Sequence, residues 1–321
     1  MPKVSVIIPI YGVEKYIERC SRSLFEQTLE DMEFVFVNDC TKDKSLEVLE
    51  HTLADYPLRQ SQVKILNHET NKGLPQARMT GIAQATGEYI AHCDSDDWVD
   101  VTMYEKLYTK AVKDGLDMVV SDYYIVREEN MQKVTGFYTS NKEGFIHDLM
   151  FSKISWAVWN KLVKHSIYDS LQLICPKGSM SEDMVYTLQL ANSSRSTGYL
   201  ESPLYYYRVN ETSMTIQTGE DAILKKYNQV LSNIDIIEEY ANQYMDYPYI
   251  KDGILHIKIS QASLLMPLLK KSRYFNLWKA LIGGKLGQMF FSSKLPLKDK
   301  VVVLLIISRI IPYIITPNRI P

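Results

Sequence analysis

Val4-Ser5-Val6-Ile7-Ile8-Pro9 opens the chain with β-branched residues closed by a proline. A continuous apolar run of this length reads as a strand buried on both faces, the kind a parallel sheet needs. Moving outward, Glu14 to Gln27 places Tyr16, Ile17, Cys20, Leu24 and Phe25 on one helical stripe. A strand over Phe34 to Val37, a helix over Ser45 to Tyr56, a strand over Val63 to Leu66, a helix over Gly73 to Ala85 and a strand over Glu88 to Cys93 follow. Such alternation means βαβ units, and hence an α/β fold with a mostly parallel sheet and flanking helices.

In sheets of this kind, ligands gather beyond the carboxyl ends of the strands. Three of those ends carry distinctive residues: Pro9-Ile10-Tyr11, Asn38-Asp39-Cys40 and Asp94-Ser95-Asp96-Asp97. Three carboxylates in four positions repel one another and are suited to a cation. Asp94 and Asp96 could offer oxygen ligands to a hard divalent metal, with a substrate diphosphate completing its shell. The same acids also suit a turn that caps a helix starting near Val101, with Asp97 or Asp100 at its N-terminus.

With 321 residues, the chain is long enough for one large domain and an appendage. Hydrophobic residues make up 46% and charged ones 23%, and the formal net charge of -2 leaves no basic field to meet nucleic-acid phosphates. Cys20, Cys40, Cys93 and Cys175 lack metal-ligand spacing and read as reduced thiols. Met1-Pro2-Lys3 leads straight into the first strand without a signal-peptide apolar region, so the expected location is cytoplasmic.

Downstream, the pattern predicts a helix over Val101 to Lys113 and a strand over Met118 to Val126. The aromatic stretch Ser155 to Leu162 fits either a sugar pocket or a core-packing helix. In Gly178 to Met184, Ser181 is a good N-cap residue, and Glu182 and Asp183 suit the first turn of a helix over Met184 to Leu190. Helical patterns follow over Ala222 to Tyr244, Ile254 to Leu269 and Leu277 to Leu286. The final apolar run, Val301 to Ile311, is interrupted by Arg309 and Pro312 and falls short of the ~20 residues of a membrane span. It fits a buried helix, or a tail over residues 295–321 resting on an anionic membrane, where Lys294, Lys298, Lys300, Arg309 and Arg319 favour the surface.

The first hundred positions resemble the family 2 glycosyltransferases, inverting nucleotide-sugar enzymes with the GT-A fold. Their Val-Ser-Val-Ile-Ile-Pro-x-Tyr stands at Val4 to Tyr11, and their Val-Asp-Asp-Gly-Ser-x-Asp appears as Val37-Asn38-Asp39-Cys40-Thr41-Lys42-Asp43. Asn71-Lys72-Gly73, Ala77-Arg78 and Asp94 to Trp98 follow in the family's order. The resemblance implies a nucleotide-binding half over 1–99 and an acceptor half over 100–216; it stops near Thr215, and the helical patterns beyond mark a C-terminal region over 217–321. Pro9, Tyr11, Asp39, Lys72, Asp94, Ser95 and Arg208 would bind the donor, with Tyr11 on a pyrimidine ring and Asp39 accepting its N–H. Asp96, with Asp94, would hold Mn or Mg. Arg78 would hold a loop by pairing with an acid, and Lys72 could equally be a solvated loop lysine.

By the same resemblance Asp183 would be the catalytic base, ionised at neutral pH because a helix N-terminus lowers a carboxylate's pKa. Tyr205 to Arg208, with Ser213 to Thr215, would form a mobile loop over the donor diphosphate, and Val209 and Asn210 supply no histidine ligand there. Asn38 and Cys40-Thr41 depart from the family's Asp and Gly-Ser, which bears on base identity. The implied reaction is inverting transfer from a nucleotide-sugar, expected to be a UDP-sugar, to a glycan or lipid-linked glycan. A nucleotidyltransferase and an inactive assembly subunit are the alternatives.

Overall fold

The computed structural model describes residues 1–128, 130–136, 139, 141–209, 219–282 and 286–308, the side chains of 286–288 excepted. The expectations for Asn210, for Ser213 to Thr215 and for Arg309, Pro312 and Arg319 lie outside the described residues. The chain begins β1 (Val4–Ile10), α1 (Ile17–Phe25), β2 (Met32–Asn38), α2 (Ser45–Ala54), β3 (Val63–Asn67), α3 (Leu74–Gln84) and β4 (Tyr89–His92), the alternation expected. It continues through β5 (Trp98–Val99), α4 (Met103–Asp114), β6 (Met118–Arg127), β7 (Asn130–Val134), α5 (Lys142–Met150), β8 (Lys161–Lys164), α6 (His165–Ser170), α7 (Glu182–Ser193) and β9 (Thr197–Arg208). Among the described residues, the α-helices that follow are α8 (Glu220–Tyr244), α9 (Ile250–Ala262), α10 (Ser272–Ile282), α11 (Leu286–Phe291) and α12 (Leu297–Ile307).

The strands lie in the order β3-β2-β1-β4-β8-β6-β9-β5, with β7 paired to β6. β3, β2, β1 and β4 are parallel, while β8 runs antiparallel to both β4 and β6. Strands from both sides of residue 99 therefore share one sheet. β1 is buried along its whole length, and its alternating side chains divide between two cores. Val4, Val6, Ile8 and Ile10 meet α1 and α4 through Cys20, Leu24, Met103 and Leu107, while Ile7 faces Phe145, Val185 and the C-terminal helices. That division explains why β1 has no polar alternate positions beyond Ser5.

Register sets the geometry at the sheet's carboxyl edge. Ile10 pairs with Asn38, and Ile7 pairs with His92. Tyr11 and Asp39, next after the first pair, and Asp94, two residues after His92, accordingly leave the sheet along one edge. α3 lies close over β1 at Gly81, where a Cβ would collide with Ile7, and that approach brings Arg78 under the same edge.

Three local expectations are corrected. Ser155 to Asn160 is an irregular loop rather than a core helix, because Lys161 begins β8 and Trp159 stacks on Tyr205 with ring centroids 4.2 Å apart. Tyr205 to Arg208 belong to the regular strand β9 rather than a loop, since β9 pairs with both β6 and β5. The pattern over Ile254 to Leu269 splits into α9 and a tighter helix, Ser263–Leu268, which contains Pro267.

Candidate active site

The acidic stretch is a turn between β4 and β5, closed by the Asp97 N–H donating to Asp94 O at 3.1 Å. Within it the carboxylates divide. Asp97 is buried, with Oδ2 accepting from Tyr205 Oη at 2.7 Å and Oδ1 from the Arg208 N–H at 2.6 Å. Burial, then Asp96 and Asp94, holds its carboxyl well above the ordinary range. Asp97 thus anchors the turn and does not cap α4; Asp100 instead accepts from the Thr102 N–H at 2.9 Å. Asp94 and Asp96 are half-buried and face the edge of the sheet. Ser95 is buried between them.

Arg78, 1% exposed, lies beneath this turn. Its Nη2 donates to Asp94 Oδ1 at 2.7 Å and its Nε to Glu182 Oε1 at 3.3 Å, the pairing with acids expected of it. Nη1 is buried and has no partner among the described residues. One guanidinium therefore bridges the acidic turn and the first residue of α7. Burial pushes the Glu182 carboxyl up to about 8 against the pull of Arg78.

Asp183 follows Glu182 and is half-buried. Burial raises its carboxyl above the ordinary value, and Arg78 and Lys161 pull it back. The expectation of a pKa lowered by the helix N-terminus is thus overturned, because desolvation outweighs the dipole. The expected N-cap is overturned as well. Ser181 sits in the left-handed region at φ 60°, and its hydroxyl donates to Gln261 Oε1 at 3.2 Å instead of capping α7. Lys161 was not singled out by sequence. It is 2% exposed, and its ammonium donates to Ser155 O, Ala157 O and Asn160 Oδ1 at 2.7, 2.6 and 2.9 Å. Burial drives that ammonium down to about 7, opposed by the charge on Asp183.

At the other end of the edge, Pro9 is buried and Tyr11 is 55% exposed. Asp39 is 3% exposed, and its carboxylate is already engaged. Oδ1 accepts from the Lys72 N–H and meets His68 Nδ1, both at 2.7 Å, and Oδ2 accepts from the Gly73 N–H at 2.8 Å. Its observed work is to hold the turn into α3, whose N-cap is Gly73 at φ 85°. The Lys72 side chain is exposed. The departures from the family pattern have local explanations. Asn38 accepts from the Thr41 N–H at 2.9 Å and donates to Asn67 Oδ1 at 2.8 Å, and Thr41 keeps a hydroxyl that donates to Asp43 Oδ1 at 2.7 Å. Cys40 occupies a left-handed conformation at φ 58°, the backbone for which glycine is the easier residue.

Arg208 ends β9 with its guanidinium over Trp98 and Tyr16, at 5.0 and 5.2 Å from their ring centroids. Arg19, also missed by sequence, stacks on Trp98 at 3.3 Å. Two cations thus flank the aromatic residue that ends the acidic turn. A divalent metal fits the donor set in part. Asp94 has one oxygen committed to Arg78 and the other without a protein partner among the described residues, and Asp96 stands two residues on. No cluster of three or more His, Cys, Asp or Glu ligands is assembled among the described residues, so phosphate and water oxygens would complete the shell.

Residues 5–185 match the family model described as glycosyl transferase family 2. An uncharacterized glycosyltransferase, EpsJ, of Bacillus subtilis (strain 168) is 33% identical over 67% of this chain, a match that spans 63% of its own length. The fold is shared with S. aureus TarS, solved in complex with UDP-GlcNAc, at TM-score 0.60 and 17% identity over 96% of this chain and 88% of that one. It is shared too with the mannosyltransferase PcManGT from Pyrobaculum calidifontis, solved with GDP-Man and Mn2+, at TM-score 0.58 and 13% identity over 98% and 86%.

Proposed function

From the premise that this chain belongs to glycosyltransferase family 2, we propose that it transfers a sugar from a UDP-sugar to a hydroxyl of a glycan or lipid-linked glycan, with inversion. The observation that carries the reading is the Arg78 bridge, which brings the Glu182-Asp183 pair to the acidic turn at the end of β4. The buried Asp39, Asp97 and Glu182 frame the site, and the half-buried Asp94, Asp96 and Asp183 are the acids that reach its surface.

The exposed ring of Tyr11 offers a face to the base, and the lone pair remaining on Asp39 Oδ2 suits the N–H of uracil. The UDP-GlcNAc held by the similarly folded TarS accords with that choice of base. Asp94 and Asp96 would hold a divalent metal, which, when bound, neutralises charge on the departing diphosphate. Pro9, Lys72, Ser95 and Arg208 complete the donor side.

Asp183 takes the proton of the acceptor hydroxyl as that oxygen bonds to the anomeric carbon and the bond to the diphosphate breaks. A carboxyl pKa raised by burial makes Asp183 a stronger base than a solvated aspartate, while Arg78 and Lys161 keep it ionisable. One displacement inverts the anomeric centre, so no enzyme nucleophile is needed.

Titration with UDP and UDP-sugars, with and without manganese, tests this reading. Metal-dependent UDP binding and slow hydrolysis of one UDP-sugar are expected. Binding of a nucleoside triphosphate with release of pyrophosphate would overturn it in favour of nucleotidyl transfer. Absence of any sugar-nucleotide turnover alongside intact folding would favour an inactive assembly subunit.

A further inference from the structure

We propose that the exposed face of α12, with Phe291 at the end of α11, docks on an anionic membrane surface, so that the protein lies on the bilayer without crossing it. The helix is amphipathic in a particular way. Asp299, Val303 and Ile306 are buried; Val303 and Ile306 lie in the core shared with α7 to α10, and Asp299 accepts from His256 Nδ1 at 2.5 Å. The opposite face carries Leu297, Val301 and Leu304 at 75, 43 and 49% exposure. At about 100° per residue these three fall within an arc of roughly 60°, with Lys298 on one side of it and Lys300 on the other. Lys300 Nζ donates to Ser292 O at 2.6 Å, which ties the residue after α11 to α12, and Phe291, the last residue of α11, is 91% exposed.

Charge selects the occupant. Residues 263–321 hold ten lysines and arginines against the single acid Asp299, whereas residues 1–262 hold 26 against 37. The body of the protein is repelled by an anionic surface, and only the C-terminal region is drawn to it. An apolar stripe flanked by lysines is what lies in a lipid headgroup layer. Spanning is ruled out for this helix by length: its 11 residues cover roughly 16 Å, about half the hydrocarbon core. Among the described residues no helix is long and apolar enough to cross a membrane. An acidic protein partner would satisfy the lysines but not the bare stripe, and a second copy of this chain would bring like charge to like.

The test uses the full chain and vesicles of phosphatidylcholine with or without about 30% phosphatidylglycerol. Cosedimentation is expected with the anionic vesicles alone, and about 0.5 M salt should release the protein. Lys294→Gln with Lys298→Gln, both exposed, should weaken partition roughly 25-fold, and Val301→Glu with Leu304→Glu should abolish it while circular dichroism and Tm stay unchanged. Indifference of the wild type to anionic vesicles at low salt overturns the proposal. So does a lower Tm in the glutamate variant, which would mean that residues 309–321 cover the stripe, and so does a wild-type dimer that the same substitutions dissociate. The assay reads binding without turnover, so its failure leaves the sugar-transfer reading standing.

Discussion

Asp94, at the end of β4, and Glu182, at the start of α7, are held by the same guanidinium, Arg78 Nη2 reaching the first at 2.7 Å and Nε the second at 3.3 Å. The two residues are far apart in sequence, one in the turn that follows β4 and the other at the N-terminus of helix α7. Without the cation, the buried Glu182 and the half-buried Asp94 would lose the charge that offsets their own, beside Asp183.

Arg78→Met should therefore destabilise the fold by about 3–5 kcal/mol, the scale of removing one partner from a buried ion network. The shift in urea midpoint at constant m measures it. Arg78→Lys should recover part of the loss, because an ammonium keeps the charge but lacks the fork that serves two acids at once. A midpoint unchanged in Arg78→Met would mean that the two acids find other partners.

Asp96→Ala should abolish metal-dependent UDP binding and turnover while leaving the fold intact, since Asp96 is half-buried at the tip of a turn anchored by Asp97. Calorimetric titration with and without manganese reads the effect. Equal UDP affinity in wild type and variant under both conditions would remove Asp96 from the donor site.

Asp183→Asn should leave donor affinity near that of wild type and lower transfer by roughly 10²-fold or more, the loss expected on removing a general base. Single-turnover transfer from preloaded donor separates the two quantities. A collapse of donor affinity with normal transfer from bound donor would make Asp183 a binding residue.

The parallel half of the fold was legible because its strands announce themselves: Val4 to Ile8 and Phe34 to Val37 are apolar on both faces and spaced by amphipathic helices. The antiparallel half was harder. β8 offers only Lys161-Leu162-Val163-Lys164, and its lysine is buried by tertiary contacts that no local pattern encodes. β9 looked like a loop because Tyr205 to Arg208 were matched to a motif, whereas the tyrosines alternate across a strand whose partners lie far away in sequence. At the candidate site, residue type and spacing single out Asp94 and Asp96, and Asp183 stands out only through the family resemblance. What sequence could not carry was burial. Asp97 and Asp39 look as available as their neighbours, but Tyr205, Arg208, His68 and the turn at Lys72 and Gly73 engage them. Burial also reversed the expected direction of the Asp183 pKa.

Lys161 supplies the last prediction, one about pH. Its ammonium is buried, and its pKa is pushed down to about 7 from 10.5. Between those values the unfolded chain binds more protons at this position than the folded one, so its contribution to stability rises with pH from about 7 to 10.5 and is at its least favourable below 7. Lys161→Met should remove that rise, visible as a smaller difference between urea midpoints at the two ends of the window. The effect on catalysis follows from the neighbouring carboxyl. Lys161 pulls the Asp183 pKa down, and its removal leaves burial less opposed, so Asp183 should hold its proton to higher pH. The acidic limb of kcat/KM should then move to higher pH in Lys161→Met, and Lys161→Arg should restore it. Above the lysine's own pKa the cation is gone in the wild type too, and the two profiles should differ there only in height. If Lys161 did no more than hold the Ser155 to Asn160 loop through its three hydrogen bonds, the plateau would fall and the limb would stay where it was.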